Sequence, residues 1–240
     1  MKTIALIPAR LESERFPNKL IKKLHGVPII VRTYLAALNS KLFDQVYVVT
    51  GNDEIIDLIE AKDGLTFKSK GIHQSGTDRV AEAAKEIDHD IVVNLQGDEP
   101  FINIDAINNL ISSFEDNTVK MASLMTSFNS FDEINNPNNV KVTVDKNNNA
   151  NFFSRSPIPV GEKKIKKFNR HIGVYAFRKM TLINFSSLNR SKNEISENLE
   201  GNRAIDNLIP VKMIKIDFHG ISIDTEKDFI EAEKYLSKNA

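Results

Sequence analysis

The sequence contains no cysteine among its 240 residues. This absence excludes disulfide bonds, thiolate metal ligands and a cysteine nucleophile, and it is consistent with a reducing compartment. Charge of one sign is not in excess either, because 32 Lys and Arg residues balance 32 Asp and Glu residues. Proteins that bind the phosphate backbone usually carry a basic excess or stripe. We therefore expect no nucleic-acid partner.

Long apolar runs are also missing. The N-terminal segment MKTIALIPAR is apolar over only a few residues before Pro8 and Arg10. Such a run is too short for the core of a signal peptide. No run approaches the roughly 18 apolar residues that a membrane span needs. We therefore expect a soluble, cytoplasmic protein without a membrane span.

Several common catalytic motifs are absent. Neither the P-loop G-x-x-x-x-G-K-[ST] nor the dinucleotide motif G-x-G-x-x-G occurs among the ten glycines. This removes most support for a Walker-type kinase or a Rossmann dehydrogenase. The five histidines show no H-E-x-x-H, and no G-x-S-x-G indicates an α/β-hydrolase. We interpret His25, His89 and His219 as structural or surface residues, and His171 as a candidate for function.

Apolar strand-like and helix-like segments alternate from residue 1 to about 115. The strand-like segments are KTIALIPA, QVYVVT, LTFKS and DIVVNLQ, and the helix-like segments are PIIVRTYLAALNS, DEIIDLIEAK, TDRVAEAAKEI and DAINNLISSF. We expect Thr77 to be the N-cap of the third helix. This alternation predicts an α/β fold with a mostly parallel central sheet and helices on both faces.

The second half of the chain breaks this alternation. Four strand-like segments, ASLMTSF, NVKVTVD, NANFFSRS and RHIGVYAF, follow one another with little helix between them. KMTLINFSSL, ENLEGNRAIDNL and EKDFIEAEKYLS have the apolar spacing of helices. We therefore expect one domain with an insertion, roughly residues 130 to 215, that extends the sheet and forms a lid or a dimer surface.

Polar side chains cluster where the predicted strands end. Ligands of parallel sheets bind beyond the carboxyl ends of the strands, so residues 8–19, 50–52 and 96–99 should converge. The first of these loops carries three cations and a hydroxyl that suit a polyphosphate: Arg10, Arg15, Lys19 and Ser13. Because Glu12 and Glu14 lie among them, a solvated loop is an equal alternative.

Two acidic residues, distant in sequence, each follow an apolar strand-like run. Asp98 could ligate Mg²⁺, which prefers one or two carboxylates together with phosphate oxygens. Alternatively, Asp98 and Glu99 cap the next helix; we favour the metal. Asp224 could share the same ion while Thr225 caps the last helix. The turn at Ser75 and Gly76 could approach a base or ribose, but taken alone it favours an ordinary N-cap with Asp78 in the first turn.

The motifs taken together resemble the CMP-Kdo synthetase (3-deoxy-D-manno-octulosonate cytidylyltransferase) family. They are IPARLESERFPNK, HQSGTDR, NLQGDEP, NPNNVKV, FFSRSPIP, RHIGVYAF, ENLEGNR and IDTEKD, in that order, between residue 4 and about 230. The resemblance implies a Rossmann-like nucleotidyltransferase fold over residues 1–240 and a homodimer. It also implies a Mg²⁺-dependent reaction of CTP with Kdo, giving CMP-Kdo and pyrophosphate for lipopolysaccharide or capsule synthesis.

The same resemblance implies roles for individual residues. Arg10, Ser13, Arg15 and Lys19 would hold the CTP phosphates, and Ser75, Gly76 and Gln96 would contact cytosine or ribose. Asp98 and Asp224 would ligate Mg²⁺ and, with Lys19, form the catalytic group. The sugar acid would meet Arg155, His171, Tyr175 and Glu200, with Arg155 the partner of its carboxylate.

The departures from the family pattern concern mainly the acceptor. The family segment LEQLR reads Leu199-Glu200-Gly201-Asn202-Arg203 here, so Gly201 replaces a glutamine that would donate a hydrogen bond. A variant acceptor such as 8-amino-Kdo is therefore an alternative to Kdo. A non-catalytic nucleotide-binding homologue is a weaker one, because both strand-end acids are present.

Overall fold

The computed structural model describes residues 1–13, 15–217 and 222–238. The chain divides into two compact units, residues 1–107 with 220–240, and residues 108–219. The strands are β1 Thr3–Pro8, β2 Lys23–Leu24, β3 Val27–Pro28, β4 Gln45–Thr50, β5 Leu65–Lys68, β6 Ile91–Asn94, β7 Met121–Ser127, β8 Lys141–Val144, β9 Ala150–Ser154, β10 Asn169–Arg178 and β11 Val211–Lys215. The α-helices are α1 Ile29–Asn39, α2 Asp53–Glu60, α3 Gly76–Glu86, α4 Ile104–Ser112, α5 Phe131–Asn135, α6 Lys179–Ser187, α7 Lys192–Glu197, α8 Gly201–Asp206 and α9 Glu226–Lys238.

The first unit is built on four parallel strands in the order β6-β1-β4-β5. Strand β1 lies between two neighbours, and its residues 4–7 are fully buried. Such burial on both faces requires the near-continuous apolar run seen in its sequence. The predicted strand–helix alternation is confirmed here. The short antiparallel hairpin β2–β3 and a 3-10 turn at Lys19–Ile21 were not predicted.

Helix α3 begins earlier than predicted. Its N-cap is Ser75, whose hydroxyl accepts the backbone N–H of Asp78 while the Asp78 carboxylate accepts the N–H of Ser75. This reciprocal capping box satisfies two backbone donors. The prediction of Thr77 as N-cap is wrong, because Thr77 belongs to the first turn of the helix. Its side chain is buried, and its hydroxyl oxygen accepts a hydrogen bond from Asn94 Nδ2 at 2.9 Å.

The second unit is mostly antiparallel. Strand β7 pairs parallel with β11 and antiparallel with β10, and the antiparallel series continues from β10 to β8 and β9. Strand β11 and helix α5 were not predicted. The segment predicted as one helix over ENLEGNRAIDNL is helical only in α8, Gly201–Asp206. Helix α7, Lys192–Glu197, was not predicted, and it ends where Asn198 adopts a left-handed conformation (φ 52°).

Two of the sequence predictions concern residues that lie wholly or partly outside the described ranges. His219 and the first residues of the strand predicted before Asp224 lie outside the described residues, and Ser222–Asp224 have no regular secondary structure. The role of residues 130–215 as lid or dimer surface stays a prediction. Within the described ranges, no helix is long and apolar enough to cross a bilayer.

Candidate active site

Three strand ends of the first unit meet at one edge of its sheet. In the parallel registers, Pro8 of β1 lies opposite Val49 of β4, and Leu6 lies opposite Asn94 of β6. The turn after β6 packs directly over β1, since a Cβ at Gly97 would lie 3.2 Å from the Pro8 carbonyl oxygen. The predicted convergence of these loops is therefore confirmed within this unit.

Two backbone contacts hold the acidic residues together. The Thr33 hydroxyl donates to the Gly97 carbonyl oxygen at 2.9 Å and so fixes the turn that precedes Asp98. The N–H of Ile223 donates to the Asp98 carbonyl oxygen at 3.0 Å. Because Asp224 follows Ile223 directly, this bond places the second acid beside the first.

Lys19 joins the two acids. Its Nζ donates to Asp98 Oδ2 and, at 2.9 Å, to Asp224 Oδ1. Arg15 Nη2 reaches the same Asp224 oxygen at 3.1 Å. Four of the residues implied by the resemblance thus form one ionic cluster, although Arg15 and Asp224 are 209 positions apart in the chain.

Lys19 and Asp98 are the most buried side chains of this cluster. Burial raises the pKa of Asp98, and the charge of Lys19 opposes that rise. Burial alone would lower the pKa of Lys19, but the two carboxylates outweigh it and raise the value. Lys19 is therefore protonated, and its ammonium supplies the positive charge that a buried carboxylate needs.

The alternative that Asp98 and Glu99 only cap the following helix loses support. The first turn of α4 is capped by Asn103, whose Oδ1 accepts the N–H of Ala106 at 2.7 Å. The Asp98 carboxylate instead faces Lys19. Its position is explained by a cation rather than by a helix end.

The pair of carboxylates suits a hard cation. One ammonium already contacts an oxygen of both, so a single cation can meet both at once. Within residues 1–13, 15–217 and 222–238, no group of three or more His, Asp or Glu side chains is arranged around a metal position. A metal here would need further oxygen ligands from substrate or water, as Mg²⁺ commonly does.

The residues predicted to contact the base or ribose lie at the same sheet edge. A Cβ at Gly76 would lie 3.2 Å from Pro8 Cγ and 4.0 Å from Gln96 Oε1, so Gly76 and Gln96 are neighbours. Ser75 adjoins them, with its hydroxyl committed to the helix cap. The alternative reading of this turn as an N-cap is therefore confirmed for Ser75, and contact of these residues with a nucleotide stays a prediction.

Two predicted phosphate ligands stand outside the ionic cluster. Arg10 is exposed and Ser13 half-buried, and neither side chain makes a hydrogen bond to the described residues. Arg79 was not predicted; its pKa is lowered by burial and, second, by the charge of Arg10. The charges of Glu12 and Glu82 act on the pKa of Arg79 in the opposite direction, so Arg10 and Arg79 share this part of the molecule with two acids.

In the second unit, His171 and Tyr175 belong to one aromatic group. The His171 ring lies 4.7 Å from Phe153 and 5.3 Å from Tyr175 between centroids. Burial lowers the pKa of His171 to about 3, so the ring is neutral. Burial also raises the pKa of Tyr175 well above its usual value, and the charges of Glu200 and Glu194 act in the same direction. Both residues therefore offer neutral hydrogen-bonding groups.

Arg155 is held by backbone oxygens. Its Nε donates to the Glu197 carbonyl at 3.0 Å and its Nη1 to the Pro137 carbonyl at 3.1 Å. The fully buried Lys141 donates from Nζ to the Arg155 carbonyl at 2.6 Å, and burial lowers the pKa of this lysine. Among the described residues, Nη2 of Arg155 makes no hydrogen bond, so it can still meet a carboxylate.

Gly201 and Asn202 explain the altered LEGNR segment. Asn202 is fully buried and pairs with both backbone groups of Phe153, accepting its N–H at 3.0 Å and donating to its carbonyl at 2.9 Å. This draws α8 onto β9. A Cβ at Gly201 would lie 2.6 Å from the Phe153 ring and 2.9 Å from Tyr175 Oη, so only glycine fits.

We expect Gly201→Ala to destabilise the protein by about 1–3 kcal/mol, because the buried Phe153 ring would have to move. At an unhindered helical position the same change would stabilise by roughly 1 kcal/mol. Urea unfolding measures the difference. Gly173→Ala is the matched control, since a Cβ there meets nothing within 4 Å. Equal stability of the two variants would contradict the close packing described above.

Some supporting residues carried a signal that could have been recognised. Ser191-Lys192-Asn193-Glu194 is an S-x-x-E capping box, and the structure shows both of its bonds. Glu197 carried no such signal, although its carboxylate accepts Ser154 Oγ and the Arg155 N–H. Its role depends on a contact across 42 residues, which sequence spacing does not encode.

Comparison with known proteins decides the family. A sequence-family profile described as Cytidylyltransferase matches residues 4–214. A protein named 3-deoxy-manno-octulosonate cytidylyltransferase from Flavobacterium johnsoniae is 46% identical over 98% of this chain and 99% of its own. The chain belongs to the 3-deoxy-manno-octulosonate cytidylyltransferase family. The family expected from the sequence motifs is thus confirmed.

Further members of this family agree in sequence and in structure. The protein of the same name from Christiangramia forsetii is 42% identical, over 98% of this chain and 97% of its own. A solved CMP:2-keto-3-deoxy-manno-octonic acid synthetase complexed with CTP has a TM-score of 0.94 at 31% identity, covering 100% of both chains. A 4-diphosphocytidyl-2C-methyl-D-erythritol synthase from Anaerococcus prevotii, at 17% identity and TM-score 0.68, shares the fold. The predicted nucleotidyltransferase α/β fold is confirmed.

Proposed function

We propose that this chain transfers the cytidylyl group of CTP to Kdo, giving CMP-Kdo and pyrophosphate. The observation that carries the proposal is the cluster of Lys19, Asp98 and Asp224, in which one cation meets two carboxylates at the carboxyl edge of a parallel sheet. Family membership supports the same reaction, since the relatives are named for it. Ligands of such sheets bind at this edge.

CTP would bind at this edge of the first unit. Arg15 and Lys19 bring positive charge toward the phosphates, and Arg10 and Ser13 lie on the same loop with side chains that no described residue engages. Gly76 lies close to Pro8 and Gln96, and its lack of a side chain would let a base or a ribose approach the backbone. Charge-assisted hydrogen bonds from guanidinium and ammonium groups are strong and directional, which suits phosphate oxygens.

We propose that Asp98 and Asp224 hold Mg²⁺, whose charge would bring the phosphates and the sugar acid together and lower the pKa of the attacking hydroxyl. The donor set fits this ion, because both acids offer oxygen atoms that already meet one cation. The Thr33 hydroxyl and the N–H of Ile223 hold the backbone beside the two acids.

The sugar acid would bind to residues of the second unit. Arg155 Nη2 offers a hydrogen bond to its carboxylate, and Lys141 fixes the Arg155 backbone. His171, Tyr175 and Glu200 would contact its hydroxyl groups. Because His171 and Tyr175 are neutral, the carboxylate depends on Arg155 for an opposite charge.

The chemistry follows from positioning and charge. The anomeric hydroxyl oxygen forms a bond to the α-phosphorus, the bond from that phosphorus to the β-phosphate oxygen breaks, and pyrophosphate leaves with the electron pair. The hydroxyl proton passes to solvent. No covalent enzyme intermediate is needed, and catalysis consists of alignment and charge stabilisation. Lys19 and Arg15 would stabilise the negative charge that builds on the leaving pyrophosphate.

The cellular setting is part of the same proposal. We propose a cytoplasmic homodimer that supplies activated Kdo for lipopolysaccharide or capsule synthesis, as the family resemblance implies. Light scattering that finds only monomers would contradict the dimer. The chemistry itself does not depend on that result.

A variant acceptor is the second candidate, and one observation favours it. Gly201 has no side chain, and the Phe153 ring and Tyr175 Oη occupy the space where a side chain would begin. A hydrogen bond to the acceptor from this position is therefore lost, while the carboxylate of Glu200 remains next to it in sequence. An acceptor such as 8-amino-Kdo, whose ammonium pairs with a carboxylate, would suit that change.

Pyrophosphate release tests the proposal. The assay contains Mg²⁺ and CTP with Kdo, 8-amino-Kdo or N-acetylneuraminate as acceptor, and a parallel reaction with EDTA. We expect Mg²⁺-dependent release with Kdo. Release only with 8-amino-Kdo would keep cytidylyl transfer and change the acceptor. Absence of release with every acceptor would support the non-catalytic alternative and contradict the proposed function.

A further inference from the structure

Strand β10 contains a bulge opposite Ser123 of β7. Ile172 lies opposite Leu124 and Tyr175 opposite Ser123, so two residues of β10 are inserted between these pairs. Because side chains alternate between faces of a strand, an insertion of two keeps His171 and Tyr175 on the same face. The bulge therefore changes the spacing of these residues without reversing either one.

The buried Ser123 hydroxyl sits inside this bulge. Its Oγ lies 2.8 Å from the Val174 carbonyl oxygen, 3.3 Å from that of Ile172, and 2.9 Å from His171 Nε2. A hydroxyl has one hydrogen and a carbonyl oxygen can only accept. The hydroxyl therefore donates to the nearer carbonyl, that of Val174. Its oxygen is then left to accept a hydrogen from Nε2.

This arrangement decides where the imidazole proton lies. The ring is neutral, since burial lowers the pKa of His171 to about 3, and a neutral imidazole carries one N–H. With that hydrogen on Nε2, Nδ1 carries a lone pair. Nδ1 makes no hydrogen bond to the described residues. It is not among their fully buried polar atoms that lack a hydrogen bond, so it is partly exposed. A ligand can therefore reach Nδ1.

We propose that Ser123 is a positioning residue that holds the proton of His171 on Nε2 and so presents Nδ1 as a hydrogen-bond acceptor for a hydroxyl group of the sugar acid. The second half of this inference rests on the proposed function. His171 then selects a hydroxyl donor, and it does not pair with the acceptor's carboxylate. Ser123 acts only through the ring and the bulge.

Nitrogen-15 NMR of the ligand-free protein at neutral pH tests the first half. Histidine-labelled protein should show a protonated, pyrrole-type Nε2 and an unprotonated, pyridine-type Nδ1 for His171, assigned by the signal that His171→Asn removes. Ser123→Ala should shift this ring toward a mixture of tautomers. A protonated Nδ1 in the unaltered protein would overturn the proposal, whatever the activity.

Steady-state kinetics test the second half. Ser123→Ala should raise the KM for the sugar acid about 3- to 10-fold, the effect of one hydrogen bond, with the KM for CTP unchanged. Ser127→Ala, at the end of the same strand, is the control and should behave like the unaltered protein. An equal rise of both KM values would indicate general damage and contradict the positioning role. If no acceptor supports turnover, the proposed function fails while the NMR result still stands.

A binding experiment separates the two halves further. Addition of Kdo to the labelled protein should move the Nδ1 signal of His171 more than its Nε2 signal, because the new hydrogen bond forms at Nδ1. His171→Asn, which keeps an acceptor oxygen near the Nδ1 position, should bind Kdo better than His171→Phe, which has none. Equal binding by the two variants would contradict a hydrogen bond at this nitrogen.

Discussion

Asp98→Asn should lower turnover by on the order of 10²–10³-fold, the usual effect of removing one electrostatic contact from a reacting centre. The amide keeps the shape of the side chain but loses the negative charge that Lys19 now meets. A divalent cation would then be held by one carboxylate instead of two. Asp224→Asn should act in the same direction. Initial rates of pyrophosphate release measure both variants.

The controls for this prediction separate charge from folding. Asp105→Asn changes an exposed acid in the first turn of α4 and should leave the rate within about twofold, as surface changes do. Circular dichroism should be the same for all three variants. Binding of Mn²⁺, followed by electron paramagnetic resonance, should weaken in Asp98→Asn and not in Asp105→Asn. Near-normal turnover of a correctly folded Asp98→Asn would rule out the metal site.

Arg203→Met should reduce the free energy of unfolding by up to about 3 kcal/mol, because the buried Glu194 carboxylate loses its main partner and keeps only Arg190, whose Nε lies 3.3 Å away. Arg203 donates to Glu194 through Nε at 2.8 Å and Nη2 at 2.7 Å. Both side chains are at most 3% exposed, and the guanidinium lies over the Phe185 ring. Urea denaturation gives the value.

Two comparisons identify the mechanism of that loss. Adding Glu194→Gln to Arg203→Met should recover part of the stability, since a neutral amide needs no opposite charge. Lys227→Met removes an exposed ion pair with Glu231 and should change stability by less than about 0.5 kcal/mol. If Arg203→Met and Lys227→Met had equal effects, the buried pair would not stabilise the fold as described.

The first half of the fold could be predicted because its signals are local. Strand β1 is an uninterrupted apolar run, and α2 begins with Asp53 and Glu54, where the helix dipole favours acids. The second half depends on pairing between distant segments. Strand β11 was missed because Val211–Lys215 (VKMIK) is only five residues long and has no regular alternation, so that its pairing with β7 decides its structure.

The site divides in the same way. Asp98 was recognisable from sequence because an acid after a buried strand of an α/β sheet lies where ligands bind. The meeting of Asp224 with Lys19 was not, because it depends on the N–H of Ile223 bonding to the Asp98 carbonyl. The sequence indicated that Asp224 follows a strand-like run and could share an ion with Asp98, and the motif resemblance implied the same role; neither indicated the contact with Lys19.

Gly201 shows what a family motif cannot convey. The sequence indicated only that a glutamine was replaced. The structure gives the physical reason: Asn202 pairs with the backbone of Phe153, and its ring then fills the space beside residue 201. The bulge at Ser123 is of the same kind, because hydrogen-bond direction follows from three-dimensional neighbours.

The most direct test of cytidylyl transfer is phosphorus-31 NMR of CTP incubated with the protein, Mg²⁺ and Kdo. We predict that the three CTP signals decrease while a single phosphodiester signal of a CMP-sugar and the signal of pyrophosphate increase together, in equal amounts. Omission of Kdo or Mg²⁺ should prevent both changes. Formation of CDP and inorganic phosphate instead would place the attack at the γ-phosphorus and contradict the account.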